Sequence, residues 1–506
     1  MLFPLIIGLS ACSREVDENP WIPPPYVQMT ATLPAPIPAA QETARPTPFQ
    51  LPPTRDPNSP LLNPTPDIPH GIPTAVTVPE SYIVQPGDTI GIIARKFGLR
   101  PESIIQANSL VNPNYLEVGQ VLALPSNVSS GQGPSFKVIP DSELIFGPYN
   151  MVFDASAFIQ SKGGYLASYA EEVDGEMTSG AQIVERIARE YSVNPKLLLA
   201  LLDYQSGWVS NPKPDPGTFT YPLGYSEGWH TGLYKQLAWA ANMLNYGFYG
   251  WLVNAFPQWT LADGTVITPD QTLNAGTAGV QHFFAQVDEY AAWQNDVTLN
   301  GLFATYFLLF GYPFDYTIDP ILPPGLYQPP MSLPFGKGET WNFTGGPHGG
   351  WDTGSAWAAL DFAPPGEGTG CILSPYWVTA AADGPVIRSE NGVVVQDLDG
   401  DGFEETGWTV LYLHIGSQDR IPVGSVLKAG DRIGHPSCEG GVSYATHIHL
   451  ARRYNGMWIA ADGPIPFNLD GYISSGTGVE YDGYLTRGTQ QIQAWDGFSE
   501  VNQIAR

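Results

Sequence analysis

The alternation of apolar and polar positions changes character several times along the 506 residues. A short apolar run over residues 1–12 gives way to residues 13–79, rich in Pro, Thr, Ala and Asn and lacking either a 2-residue or a 3.6-residue apolar period. Such a stretch cannot bury enough surface to offset the entropy of ordering, so it predicts an extended, disordered tether. Residues 80–126 read strand, helix, helix, strand. Tyr82, Ile83 and Val84 precede a Pro-Gly-Asp-Thr turn at 86–89, Ile90 to Phe97 have helical spacing and stop at Gly98, Pro101 opens a second helix, and Val118, Val121 and Leu122 close the unit. Residues 141–330 carry helical signals. Asn194 before Pro195 is a helix start, and Leu197, Leu198, Leu199, Leu201 and Leu202 give that helix a wide apolar face. From 334 to 488 the pattern turns to short β-runs separated by Gly, Asp and Asn, clearest at 378–387, 393–397, 408–414, 425–427 and 447–451, and residues 489–506 read as a C-terminal tail. The chain is predicted to be an α+β multidomain protein: a βααβ module, a mainly helical middle domain and a β-rich antiparallel domain.

Composition narrows the chemistry. A formal charge of −27 opposes binding to phosphate backbones, so no nucleic-acid partner is expected. Charged residues are only 14%, against 55 Gly, 49 Pro, 14 Trp and 25 Tyr, which fits turn-rich β structure with aromatic surfaces. No other stretch approaches the length of a membrane span. Leu9-Ser10-Ala11-Cys12 resembles the lipobox of bacterial lipoproteins, which implies lipidation at Cys12, a membrane attachment through that anchor alone, and an extracytoplasmic, membrane-anchored place in the bacterial cell envelope. The other two cysteines, Cys371 and Cys438, would form a disulfide in an exported protein, with two separate buried thiols as the alternative.

Residues 80–126 resemble a LysM module over their whole length, on the Pro-Gly-Asp-Thr turn, the Ala107-Asn108 pair and Val118-Gly119-Gln120. The resemblance implies binding of peptidoglycan or another N-acetylglucosamine-containing glycan beside the first turn, at Asp88, Thr89 and Ile90. In the middle domain Tyr204-Gln205-Ser206-Gly207 resembles the catalytic helix of lysozyme-like transglycosylases. There a glutamate supplies the acid, whereas Gln205 cannot deliver a proton, so a degenerate, glycan-holding domain is expected. The cluster Trp229, Tyr234, Trp239, Tyr246, Tyr249 and Trp251 suits sugar stacking or core packing.

Chemistry concentrates in the β-rich part. His447-Ile448-His449 lies in a strand-like run, where residues two apart share a face. His348, Asp361 and His414 complete a set suited to a mononuclear zinc hydrolase. The run Gly345-Gly346-Pro347-His348, the Leu360-Asp361-Phe362 segment, Leu411-Tyr412-Leu413-His414 and His447-Ile448-His449 resemble the lysostaphin and beta-lytic (LytM-type) zinc endopeptidases, in the long-spacer branch. The resemblance implies one zinc held by His348, Asp361 and His449, with His414 and His447 moving protons and no glutamate base of the His-Glu-x-x-His kind. It implies a peptidoglycan endopeptidase that cuts peptide cross-links; the alternative is a catalytically silent LytM-like activator or glycan-binding envelope protein. Asp397, Asp399, Asp401 and Glu405 resemble the start of a calcium loop whose twelfth position is Trp408, so calcium stands beside a plain acidic hairpin turn.

Overall fold

The computed structural model describes residues 64–74, 78–126, 129–318, 320–366 and 370–506. The segment 1–12 with Cys12, and residues 13–63 of the expected tether, lie outside them. In the LysM-like module β1 (Ser81–Ile83), α1 (Ile90–Phe97), α2 (Pro101–Asn108) and β2 (Val121–Ala123) follow the predicted order, with β1 and β2 antiparallel. Their shared core is Ile90, Ile93, Ile104 and Leu122. In the α1–α2 connection Arg100 donates to the carbonyls of Ala285 (3.2 Å) and Gln286 (3.3 Å), so the module docks on the middle domain by capping a helix C-terminus.

The middle domain runs β3 (Gly131–Gln132), α3 (Ala155–Lys162), the hairpin β4 (Ala170–Val173) and β5 (Glu176–Ser179), α4 (Gly180–Tyr191), α5 (Pro195–Ser206), α6 (Leu233–Leu252), β6 (Trp259–Thr260), β7 (Val266–Thr268), α7 (Ala275–Val287), α8 (Tyr290–Asp296) and α9 (Leu302–Phe310). Ser179 and Gln182 cap α4 reciprocally, and the Asn194 side chain accepts the Lys196 N–H to start α5. Six successive side chains of α5, from Leu197 to Leu202, are buried, so it is a central helix enclosed on all sides rather than one with a single apolar face. Tyr234, Trp239, Tyr249 and Trp251 are core, which removes most of the aromatic cluster from sugar stacking.

The tether ends earlier than its composition suggests. Residues 64–74 lie along the helical domain: Lys137 pairs with Asp67 (2.9 Å), the His70 N–H donates to Gln271 O (2.8 Å), and the His70 ring sits 4.8 Å from Trp251. An extended segment without a core of its own is ordered here by a neighbour's surface, which no apolar period reports.

The C-terminal domain holds β8 (Thr340–His348), β9 (Ala359–Ala363), β10 (Val378–Thr379), β11 (Gly384–Glu390), β12 (Val393–Asp397), β13 (Trp408–Leu413), β14 (Val426–Leu427), β15 (Arg432–Gly434), β16 (Ile448–Tyr454) and β17 (Met457–Trp458), then β18 (Asn468–Leu469), β19 (Tyr472–Gly476), β20 (Gly483–Arg487), β21 (Gln490–Gln493) and β22 (Gln503–Ala505). Among the described residues the main sheet has the order β14-β11-β12-β13-β16-β9-β8-β22, with β17 on β16. Residues 489–506 are therefore part of the domain and not a tail: β22 pairs with β8, and Ile504 is fully buried.

Period-2 alternation assigns the two faces of this sheet. Val394, Val410, Tyr412, Ile448, Leu450, Leu360 and Phe362 pack into the domain's own core. Val393, Val395, Leu411, Leu413, Ala451 and Ala359 face the other way and are continuous with the core of the helical domain. Polar contacts fasten the same boundary. Tyr191 Oη donates to Asp352 (3.0 Å), Asn242 accepts the Gly354 N–H (2.7 Å), Ser192 Oγ donates to Gly456 O (2.6 Å), and Tyr249 Oη accepts the Trp458 N–H (3.0 Å).

Candidate metal centre

Alternation also puts the candidate ligands together. His449 and Asp361 face each other across β16 and β9, on the face shared with Ala451 and Ala359, and β8 delivers His348 from the next strand. His348 Nε2, Asp361 Oδ1 and His449 Nδ1 form a triangle with edges of 3.0, 3.2 and 3.3 Å. Three corners of a tetrahedron about a zinc with bonds of about 2.0–2.1 Å are separated by about 3.3–3.4 Å, so the triangle has the size one ion requires.

The hydrogen bonds fix which atoms face inward. His348 Nδ1–H donates to Gly346 O (2.7 Å) and His449 Nε2–H to Gly350 O (3.1 Å), which leaves both inward nitrogens with lone pairs. Two lone pairs 3.0 Å apart repel unless a cation lies between them. Asp361 is 1% exposed, and neither of its carboxylate oxygens has a hydrogen-bond donor. Buried polar groups are normally satisfied, so this orphaned carboxylate between two inward lone pairs fits a metal ion. Burial disfavours the Asp361 carboxylate, but the neighbouring imidazoles of His348 and His447 outweigh it and hold its pKa well below the ordinary range. Burial likewise opposes a charge on His348, and Asp361 overrides it and raises its pKa. The motif glycines make room for this packing. A Cβ on Gly345 would lie 2.5 Å from Asp361 Oδ2, and one on Gly346 would lie 2.6 Å from the backbone of Asp482.

His414 and His447 flank the triangle, their rings 4.6 Å apart. His414 Nδ1–H donates to Glu439 O (3.0 Å) and His447 Nδ1–H to Ala445 O (2.8 Å), so each turns its Nε2 away from the backbone. His447 Nε2 lies 3.9 Å from Asp361 Oδ1. Burial, then the neighbouring imidazoles of His447 and His449, keeps the His414 pKa well below its ordinary value and favours the neutral ring, whose Nε2 carries a lone pair. His447 stands one residue before β16, where an isolated bridge pairs it with Ser437. A cavity of about 30 Å³, lined by Trp351, Asp352, Leu413, His414, Gly441 and His449, adjoins the triangle and has room for one or two waters.

Tyr481 is a residue the sequence did not disclose. Its ring stacks on His348 at 4.3 Å, its carbonyl accepts the Gly346 N–H (2.7 Å), and its φ is +66°. It lies more than 130 positions from His348 in a Gly-rich loop, and no spacing links the two.

The other singled-out residues separate as follows. Cys371 and Cys438 are joined in a disulfide. Asp397, Asp399 and Asp401 carry ligand atoms within 4.8 Å of one another, whereas Glu405 lies outside this group and its pKa rises to about 7 through burial and then the charge of Glu404. Asp397 accepts the backbone N–H groups of Asp399, Gly400 and Gly402, and burial together with Asp397 and Asp401 pushes Asp399 up to about 8. In the LysM-like module Asp88 accepts from Tyr82 Oη (2.8 Å) and the Gln85 N–H (2.7 Å), Thr89 accepts the Ile92 N–H (3.2 Å), and Ile90 is buried in the core. Asp88 and Thr89 thus brace the turn and Ile90 anchors the start of α1.

Comparison with known proteins adds independent evidence. Residues 82–125 match the LysM domain, and residues 137–322 match the family described as LasA, N-terminal domain. Protease LasA of Pseudomonas aeruginosa is 25% identical over 343 residues, covering 64% of this chain and 75% of that protein. The chain is a homologue of protease LasA. The LasA-type match takes in the helical domain as a whole, whereas the lysozyme-like resemblance rested on α5 alone. N-acetylmuramoyl-L-alanine amidase XlyA of Bacillus subtilis is 29% identical over 119 residues, 23% of this chain and 40% of that protein. Among solved structures, the deep-sea M23 metalloprotease pseudoalterin aligns with 35% of this chain and 98% of its own, at 24% identity and a TM-score of 0.28.

Proposed function

We propose that this LasA homologue is a zinc-dependent peptidoglycan endopeptidase, held on its substrate by the LysM domain. The observation that carries the reading is the buried His348–Asp361–His449 triangle, with two inward lone pairs and an unpartnered carboxylate. When bound there, zinc supplies Lewis acidity and an acidified water. His348 and His449, braced by the carbonyls of Gly346 and Gly350, and Asp361 keep three ligand atoms in fixed positions. His414, held neutral, takes a proton from water at its Nε2. His447, next to it, donates to the departing amine or to the oxygen that gains charge. The carboxylate of Asp361 stabilises whichever ring is charged.

Purified peptidoglycan tests this reading. The protein is expected to release free amino groups without reducing ends. Release of reducing ends would point to the helical domain, and release of neither from several wall chemotypes would favour a silent activator. Retention of all five site residues supports the enzyme. The acidic loop at Asp397, Asp399 and Asp401 is proposed as a calcium brace for β13, the strand leading to His414. Millimolar calcium is expected to raise the Tm of the wild type and not that of Asp399→Asn; equal Tm values with and without calcium would reduce the loop to a hairpin turn. Lipidation at Cys12 remains part of the proposal for an envelope enzyme.

A further inference from the structure

His414 is the first residue beyond β13, and its φ of +68° lies in the left-handed region that a residue with a Cβ enters only when its surroundings enforce it. Ile415 is pinned next to it by the Gly392 carbonyl (2.9 Å), and a serine holds His414 itself. The His414 carbonyl accepts both the Ser437 N–H (2.7 Å) and the Ser437 hydroxyl (3.0 Å). The same Oγ accepts the Glu439 N–H (3.0 Å), and the Glu439 carbonyl takes the His414 Nδ1–H (3.0 Å). Ser437 thus contacts the His414 backbone through its N–H and its hydroxyl, and the hydroxyl also holds the residue whose carbonyl aims the ring. On its other side Ser437 bridges to His447.

The segment carrying Ser437 follows β15, which pairs with β10 outside the main sheet, and needs its own fastening. A strap over residues 370–374 supplies it at both ends: the Ser374 N–H donates to Pro436 O (2.9 Å), the Ile372 N–H to Thr446 Oγ1 (2.9 Å) and the Thr446 N–H to Gly370 O (3.1 Å). Between these ends the Cys371–Cys438 disulfide joins strap to segment, one residue from Ser437. The Glu439 carboxylate ties the segment forward to the Ser417 N–H (2.8 Å) and hydroxyl (3.0 Å).

We propose that Ser437, clamped by the Cys371–Cys438 disulfide, is the positioning residue that holds His414 and His447 in register for proton transfer, an inference that rests on the roles given to those histidines above. It is neither a member of the ligand triangle nor part of the lining of the adjoining cavity, so its loss is expected to act on turnover and to leave metal and substrate binding in place.

The test measures kcat and KM on soluble cross-linked muropeptides, with zinc content and near-ultraviolet circular dichroism, for the wild type, Ser437→Ala, Ser437→Thr, Cys371→Ser/Cys438→Ser and His414→Ala. Ser437→Ala is expected to lower kcat about 10- to 100-fold, as a sub-ångström to 1 Å misplacement of a proton-transfer group does, with KM and zinc stoichiometry unchanged. Ser437→Thr, which keeps the hydroxyl, recovers most of that loss, and the double cysteine variant reproduces it. Ser437→Ala within about twofold of wild-type kcat beside an inactive His414→Ala would overturn the positioning role and leave the histidine assignment standing. A kcat that falls only in step with lost zinc or lost folded protein overturns it as well. Should Ser437→Ala not fold, the double cysteine variant decides by the same criteria. A fully active His414→Ala would remove the histidine assignment, and the positioning role with it.

Discussion

At Asp361 the proposed metal binding separates from folding. Its side chain contributes no hydrogen bond that the sheet depends on, since both oxygens lack donors, while β9 is held by backbone pairing to β8 and β16. Asp361→Ala is therefore expected to keep the native circular dichroism spectrum and to bind far below one zinc per chain, with amine release falling at least about 100-fold. A variant that retains stoichiometric zinc would mean the ligands lie elsewhere. The grouping of the five candidate residues was legible because strand periodicity and motif spacing survive in sequence: His449 and Asp361 each share a strand face with a small core residue two positions away, Ala451 and Ala359. Tyr481 and Ser437 were not, because each acts through contacts that exist only once distant loops meet. Stacking on His348 and bridging between His414 and His447 leave no period behind.

Among the elements, β16 contributes Arg453 to a buried ion-pair network. Arg453 on this strand and Arg388 on β11 both pair with Glu404, and Arg453 also donates to the carbonyl of Arg189 near the end of α4 (3.2 Å). Burial alone would raise the Glu404 pKa, but the two guanidinium groups bring it down from 4.5 to about 2. A depressed carboxylate stabilises the fold fully above its ordinary value and loses that contribution as pH falls. The loss is expected between about pH 4.5 and pH 2, read as a decline of Tm in that window. Glu404→Gln leaves two buried cations without an anion and is expected to cost about 3–5 kcal/mol in chemical denaturation at pH 7, with the acid-sensitive step flattened. A loss under about 1 kcal/mol would show that the pair is solvent-screened. Most helices and strands of the sheet were readable from apolar period, caps and turns. The strand β22 was not: three residues, Gln503, Ile504 and Ala505, are too few to show a period, and their partner β8 lies more than 150 positions away. The enclosed helix α5 was read as one-sided because its leucines cannot report what packs on the far side.

Among the described residues, the LysM domain, the helical LasA-type domain and the sheet that carries the candidate metal centre are linked by specific contacts, and a single core runs from Val138 to Trp458. Composition suggested modules on a tether, and it carries no information about Arg100 reaching the end of α7. Arg100→Ala is expected to speed limited proteolysis between the LysM and helical domains while leaving cleavage of muropeptides unchanged; an unaltered digestion pattern would show that the contact does not restrain the module. The most direct test of the central claim is a zinc titration of amine release from purified peptidoglycan by chelator-treated protein. Activity is expected to be absent before addition, to return in full at one equivalent of zinc, and to stay absent in Asp361→Ala. Undiminished amine release from the zinc-free protein, or its restoration by zinc in Asp361→Ala, would contradict a zinc peptidase built on His348, Asp361 and His449.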